Sequence, residues 1–356
     1  MGPLKSVAIA LVLLSPLAFA QTPAAPLTTS AQPQRPAGPR PLHLHVVVTT
    51  KDGKPISGLV QSDFSVAIDK QPVPIGSFEA VQSTSPGAAP IETILLVDTV
   101  NTRFLSVAYE REQIKNYLRQ NNGKLAQPTT LVVLTDTGTT ITPSPTRDGN
   151  SLATMLDTAE VHLREIGRRQ GFYGWIEQFQ ISTGALQRVA AYEATRPGRK
   201  LLVWISPGWP ILSGPEVDLS SKQQLGLFHD VVALSDALRN ARITLTSVDP
   251  LGTADSLSYR TTVYEEFEKG IASPKQVQIG NLALQVLALQ SGGRVLSANN
   301  DVASLISTAT SDTQAFYTLT VTPAPAEHPN QYRSVHVTLS RPGLTAHTLT
   351  GYYDQP

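Results

Sequence analysis

The stretch ILLVDTVNTRF, residues 94–104, decides how the chain is read. A continuous aliphatic run stops at a carboxylate, Asp98, and a short polar segment follows. Strands covered on both faces have this unbroken apolar character, and such strands belong to parallel sheets. Three further runs repeat it: TLVVLTDT from 130, KLLVWISPG from 200 and RITLTSVDP from 242. Helical patterns separate them. Val107, Ile114, Tyr117 and Leu118 recur after Ser106, which reads as an N-cap; Trp175, Phe179, Leu186 and Val189 share a second face. Leu225, Phe228, Val232 and Leu238 fit a third helix, and Leu282, Val286 and Leu289 a fourth that ends at Ser291-Gly292-Gly293 before a strand at 294–296. Alternation of this kind predicts a doubly wound, mostly parallel α/β sheet over residues 93–311.

Outside that block the period changes to two. Leu42, Leu44 and Val46 alternate with His43, His45 and Val47, Asp52-Gly53 marks a turn, and Phe64, Val66 and Ile68 alternate again. AFYTLTVTP, YRSVHVTLSRPG and AHTLTGYYD do the same near the C-terminus. Neither set of strands has enough partners to bury its apolar face alone. Segments 42–81 and 312–356 are therefore expected to join in one β-sandwich with the α/β unit inserted between them.

The segment QTPAAPLTTSAQPQRPAGPRP, residues 21–41, has no apolar periodicity and reads as a semi-extended linker. Ahead of it, one cation at Lys5, an apolar run from Val7 to Leu14 and the small-x-small site Ala18-Phe19-Ala20 have the order of a cleaved secretory signal over residues 1–20. The run is too short to span ~30 Å of hydrocarbon, and no later segment reaches ~18 unbroken apolar residues, so no transmembrane segment is expected in the mature chain. The expectation is an exported protein, periplasmic or extracellular. The chain has no cysteine, which excludes disulfide staples and thiolate chemistry together. Its 28 basic and 28 acidic residues cancel and no basic block stands out, so nucleic acid is not an expected partner.

Four stretches, in order, resemble the von Willebrand factor type A-related proteins exported by certain bacteria: VVVTTKDGKPISGLVQSDFSVAIDKQPVPIGSFE (46–79), LLVDTVNT (95–102), RPGRKLLVWISPGWP (196–210) and RSVHVTLSRPGLTAHTLTGYY (333–353). The resemblance implies a metal-ion-dependent adhesion site at the carboxyl edge of the sheet, with D-x-S-x-S after the first strand, a later Thr, and an Asp after the strand that here reads LLVWIS. Mg²⁺ asks for about six hard oxygens near 2.1 Å. Asp98 and Thr102 fit two positions of that set. Val100 stands where a serine is expected and Pro207 where the later Asp is expected, and Ser182 and Thr183 are the nearest hydroxyls to the missing Thr. The resemblance thus implies a degenerate site, with Asp98 and Thr102 as remnant metal ligands and no cofactor required, and Asp98 itself reads mainly as a turn or cap residue.

Open α/β sheets bind at the carboxyl ends of their strands. That edge is expected to carry Asp98, Asn101 and Thr102, then Asp136, then Pro207 to Trp209, then Asp249. Trp209 is an expected anchor for a partner, with packing against an adjacent loop as the alternative. His43 and His45 share a strand face without a third ligand and read as a solvated pair. Ser206, Asp249 and His328 occur in hydrolase order, but Ser206 sits in WISPGWP and not in G-x-S-x-G, and Pro207 removes an N–H from an oxyanion site. The expected function is a non-catalytic module that binds a protein or another cell-envelope component. The alternatives are a structural subunit of an envelope assembly and, last, an α/β hydrolase.

Overall fold

The computed structural model describes residues 40–82, 91–102, 104–159, 171–209, 219–250, 264–297 and 299–356. The expected signal segment and nearly all of the linker lie outside these residues. The N-terminal alternation forms β1 (Leu42–Thr49), β2 (Phe64–Ile68), β3 (Gln71–Val73) and β4 (Ile75–Gln82). The aliphatic runs form β5 (Glu92–Asp98), β6 (Lys124–Thr135), β9 (Lys200–Ile205) and β10 (Ile243–Val248). Short strands β7 (Gly138–Ile141), β8 (Thr146–Asp148) and β11 (Val295–Leu296) complete that sheet. The chain ends in β12 (Ala315–Val321), β13 (Gln331–Leu339), β14 (Thr345–His347) and β15 (Gly351–Asp354).

The two terminal sets interleave. One sheet has the order β14-β1-β12-β4 and the other β15-β13-β2-β3, so each takes strands from both ends of the chain. Leu44, Val46, Tyr317 and Leu319 from the first sheet meet Phe64, Val66, Ile68 and Val335 from the second in one buried cluster. This is the sandwich, and it closes because β1 pairs with β12 and β2 with β13. Its other face is polar along β1, where His43 bonds Thr320 at 3.0 Å and His45 approaches Thr318 at 3.4 Å.

The inserted sheet has the order β11-β10-β9-β5-β6-β7, with β8 beside β6. Counting β5 as the first strand gives the 3-2-1-4-5-6 order of a doubly wound fold. The strands β5, β6, β9, β10 and β11 are mutually parallel, as the unbroken apolar runs require. The two faces bury separate clusters. Ile94, Leu96 and Trp204 point to one side, and Leu95, Val97, Val203 and Ile205 to the other. The helices that cover them are α1 (Phe104–Leu118), α2 (Gly149–Thr158), α3 (Gly171–Ala194), α4 (Ser221–Ala241), α5 (Leu284–Gln290) and α6 (Val302–Ser311). Side chains cap three of their starts: Asp148 accepts from Ser151 N, Asp301 from Ser304 N, and Ser220 with Gln223 forms a capping box.

Local expectations fail at Ser106 and Leu225. Helix α1 begins at Phe104, so Ser106 lies inside it and is not the N-cap. Leu225, expected on the buried face of α4, is exposed; the buried face of that helix begins at Phe228. After β6 the chain does not enter a helix: Thr135 pairs with Gly138, which leaves Asp136 and Thr137 as a two-residue hairpin loop leading into the antiparallel β7. Of the expected residues on α3, the Trp175 side chain lies outside the described set. Among the described residues no helix is long and apolar enough to cross a membrane.

Candidate functional site

The carboxyl edge is built around Asp98. As the last residue of β5 it alternates onto the same face as Leu96, and Leu96 is in register with Trp204 of β9. The indole therefore runs along that face toward the strand end. Trp204 Nε1 donates to Asp98 Oδ2 at 2.9 Å, and Asn101 Nδ2 donates to the same oxygen at 2.7 Å. The backbone N–H groups of Val100 and Asn101 donate to Oδ1 at 3.0 and 3.1 Å. The Thr102 hydroxyl turns back to Asp98 O at 2.8 Å. Asp98 is 0% exposed, and its four strongest acceptor positions are filled by N–H donors.

The loop after β5 is then tied to α3. Asn101 Nδ2 also reaches Ser182 Oγ at 2.8 Å, Ser182 donates to Gln178 O at 2.8 Å, and Gln178 Nε2 donates to Val100 O at 3.0 Å. Thr183 instead bonds back to Phe179 O at 2.8 Å within its own helix. The hydroxyls of Thr102, Ser182 and Thr183 thus each donate to a backbone carbonyl.

These residues do not fit the hexacoordinate oxygen cage of a resident Mg²⁺. A cation needs carboxylate lone pairs, and those of Asp98 point at N–H hydrogens. The Val100 side chain packs in the core beside Leu96, and Pro207 is buried without a side-chain oxygen to offer. Among the described residues no group of three or more histidines or carboxylates is arranged to hold a metal ion.

Three other groups at or behind this edge are left short of donors. Asn101 Oδ1 and Asp136 Oδ1 are buried atoms with no hydrogen-bond partner, and neither oxygen of Glu110 has one. Glu110 projects from α1 and is 1% exposed. Burial pushes its pKa well above the usual carboxylate range; the neighbouring Thr102 hydroxyl pulls it down, and the carboxylates of Asp98 and Asp249 push it up further. Asp249 follows β10, its N–H donating to Leu296 O at 2.9 Å, and its half-buried side chain lies on the same rim.

Trp209 does not project from the edge as an anchor. It is 4% exposed, donates from Nε1 to Leu282 O at 2.9 Å, and meets Trp204 edge-to-face with ring centroids 5.5 Å apart. The turn at Gly208, with φ 84, folds the indole back over the sheet. Of the two readings of Trp209, partner anchor and packed loop residue, the burial fits the second, and it puts Trp209 directly behind the Asp98–Trp204 pair. The hydrolase order does not assemble either. Ser206 is fully buried with Oγ accepting from Gly208 N at 3.0 Å, while His328 is exposed in the β12–β13 connection, 3.2 Å from Pro329 O.

The residues missed from the sequence are Trp204 and Glu110. Trp204 looked like one more apolar position of a buried run. Its one signal was an indole N–H, which in a core requires an acceptor. Glu110 follows Val107 by three and precedes Ile114 by four, so its spacing puts it on the buried face of that helix; only its polar identity hides it among the neighbouring polar residues.

No family model matches the sequence, and no curated protein matches it. Among solved structures the chain is similar to the human COPII-coat protein Sec24c, at 9% identity and a TM-score of 0.35, covering 75% of this chain and 44% of that one. It is also similar to the SpRpn10 VWA domain, at 13% identity and a TM-score of 0.30, covering 61% of this chain and 94% of that one. The chain spans less than half the length of the Sec24c chain it matches. By its strand order the molecule is an α/β protein with a doubly wound, mostly parallel layer and a β-sandwich made from both ends of the chain.

Proposed function

We propose that the chain is an exported, non-catalytic binding module that captures a protein or another cell-envelope component at the carboxyl edge of its α/β layer, without a resident metal. One observation carries this reading: the edge has surplus acceptors, Asn101 Oδ1 on a loop tied to Asp98 and Ser182, and Asp136 Oδ1 in the β6–β7 hairpin. Buried acceptors without donors are costly, and an incoming N–H or guanidinium relieves that cost. A preorganised edge of this kind binds with little loss of loop entropy. The N–H donors on Asp98 take the part that a cation has in an adhesion site, so docking proceeds with or without Mg²⁺.

The test is capture from an envelope extract by residues 21–356, run in Mg²⁺ and in EDTA, with Asp136→Ala alongside. The same partner should appear in both buffers and be lost with Asp136→Ala. Capture that requires Mg²⁺, or that ignores the substitution, would refute the reading. Export is checked separately by mass spectrometry of the envelope fraction, where a new N-terminus at Gln21 is expected and an intact Met1 would overturn it.

A further inference from the structure

The opposite end of the α/β layer holds a cleft that the proposed function does not use. It has a volume of about 550 Å³ and opens where the polar face of the β-sandwich meets the end of α4 and the start of β10. Cavities of ~300–1,000 Å³ between structural layers are the usual size and place of small-ligand sites. Leu238, Ile243, Leu287 and Leu349 contribute apolar surface. One wall is the outer face of the sandwich, with His43, His45, Thr318 and Glu79. The other carries Arg239, Asn240, Arg242 and Thr244.

The charges do not cancel. Arg239 pairs with Asp236 at 2.9 Å and stacks on Tyr352. Arg242 ends α4 in the left-handed region, φ 57, and its exposed guanidinium has no hydrogen bond or ion pair among the described residues. Behind the wall lies Arg199, 8% exposed, whose Nη2 reaches the cleft-lining Thr244 hydroxyl at 3.4 Å. Its Nε and Nη1 are buried without partners, and Phe316 lies against its face at 4.6 Å. Burial lowers the Arg199 pKa to about 10, which leaves it charged at neutral pH. His45 adds no charge: burial first, then Arg199, His43 and Arg242, bring its pKa to about 3. Against the three arginines stand Asp236, paired with Arg239, Asp312, which acts on Arg199 but is bonded to Arg294 at 2.8 Å, and Glu79 across the cleft. One positive charge is left over, beside apolar surface.

We infer that this cleft is a binding site for a small organic monoanion, a carboxylate with an apolar body, whose head group meets Arg242 and whose body lies on Leu238 and Leu287. A planar guanidinium fork matches a carboxylate in two hydrogen bonds, and a single uncompensated charge favours a monoanion over a phosphate dianion.

Titration of the full mature chain with 4-phenylbutyrate, followed by NMR and calorimetry, tests this, with 4-phenylbutanol and phenyl phosphate as comparison probes. The acid should bind saturably and shift resonances of His45 and Thr318. The neutral alcohol and the Arg242→Gln variant should each weaken binding by about tenfold, the worth of one charge-assisted contact. Arg147→Gln, an exposed cation on β8, should leave it unchanged. The inference fails if the acid does not saturate, if it shifts other residues and not these, if the alcohol or phenyl phosphate binds as tightly, or if Arg242→Gln has no effect.

Discussion

Replacing Asp98 by Asn separates three roles that a carboxylate at a strand end can have. Both oxygens accept two N–H donors: Val100 N and Asn101 N on Oδ1, Asn101 Nδ2 and Trp204 Nε1 on Oδ2. An amide in the same place must turn its NH₂ toward one of these pairs, so two donors face two donors. If Asn101 turns its own amide over, its Oδ1 can accept from the new group, and one conflict with Trp204 remains. Hydrogen bonds to a charged group are worth about 1.5–3 kcal/mol each. The cost is then about 1.5–3 kcal/mol when Asn101 adapts and about 3–6 kcal/mol when Ser182 holds it in place. Urea denaturation in EDTA measures the loss, and Trp204→Phe, which removes a single donor, should fall at the lower end. A surface cap would tolerate Asn, since Asn and Asp cap about equally well. A metal ligand would show its loss only with metal present. A change under about 1 kcal/mol in EDTA would refute the hydrogen-bonded role.

Two other substitutions follow from burial. Trp209→Ala should destabilise the fold by about 3–5 kcal/mol, the usual cost of emptying a buried aromatic site, and a melting temperature close to the parent would show the indole to be at the surface after all. Glu110→Gln tests the buried carboxyl through pH. A folded-state pKa raised above its ordinary value near 4.5 means that the folded state holds a proton the unfolded chain has released, so stability falls as pH rises above that value. Glutamine removes the ionisation. The variant should match the parent near pH 4.5 and become the more stable of the two by pH 8; parallel melting profiles across that range would sink the assignment.

Much of the architecture was legible along the chain, because burial on two faces and burial on one face leave different periods in a sequence. The unbroken runs at 93, 130, 200 and 242 specified parallel strands, and the alternation at both ends specified strands that needed each other's company. The absence of oxygen at Val100 and Pro207 was likewise plain from the letters. Asp136 shows where local reading stops: TDTG reads as a strand end that caps a helix or turns a loop, and only the pairing of Thr135 with Gly138 makes it a hairpin. Trp209 shows the same limit, since a tryptophan between glycine and proline reads as a loop residue until Leu282 and Trp204 close around it. The partners of Asp98 lie 106 and 3 residues away, Trp204 and Asn101. The near one follows from loop chemistry, whereas the far one depends on the register of two parallel strands joined by a long crossover. A single sequence carries period and composition. Which strand lies beside which, and hence which donor fills a buried lone pair, is settled only when the whole sheet packs.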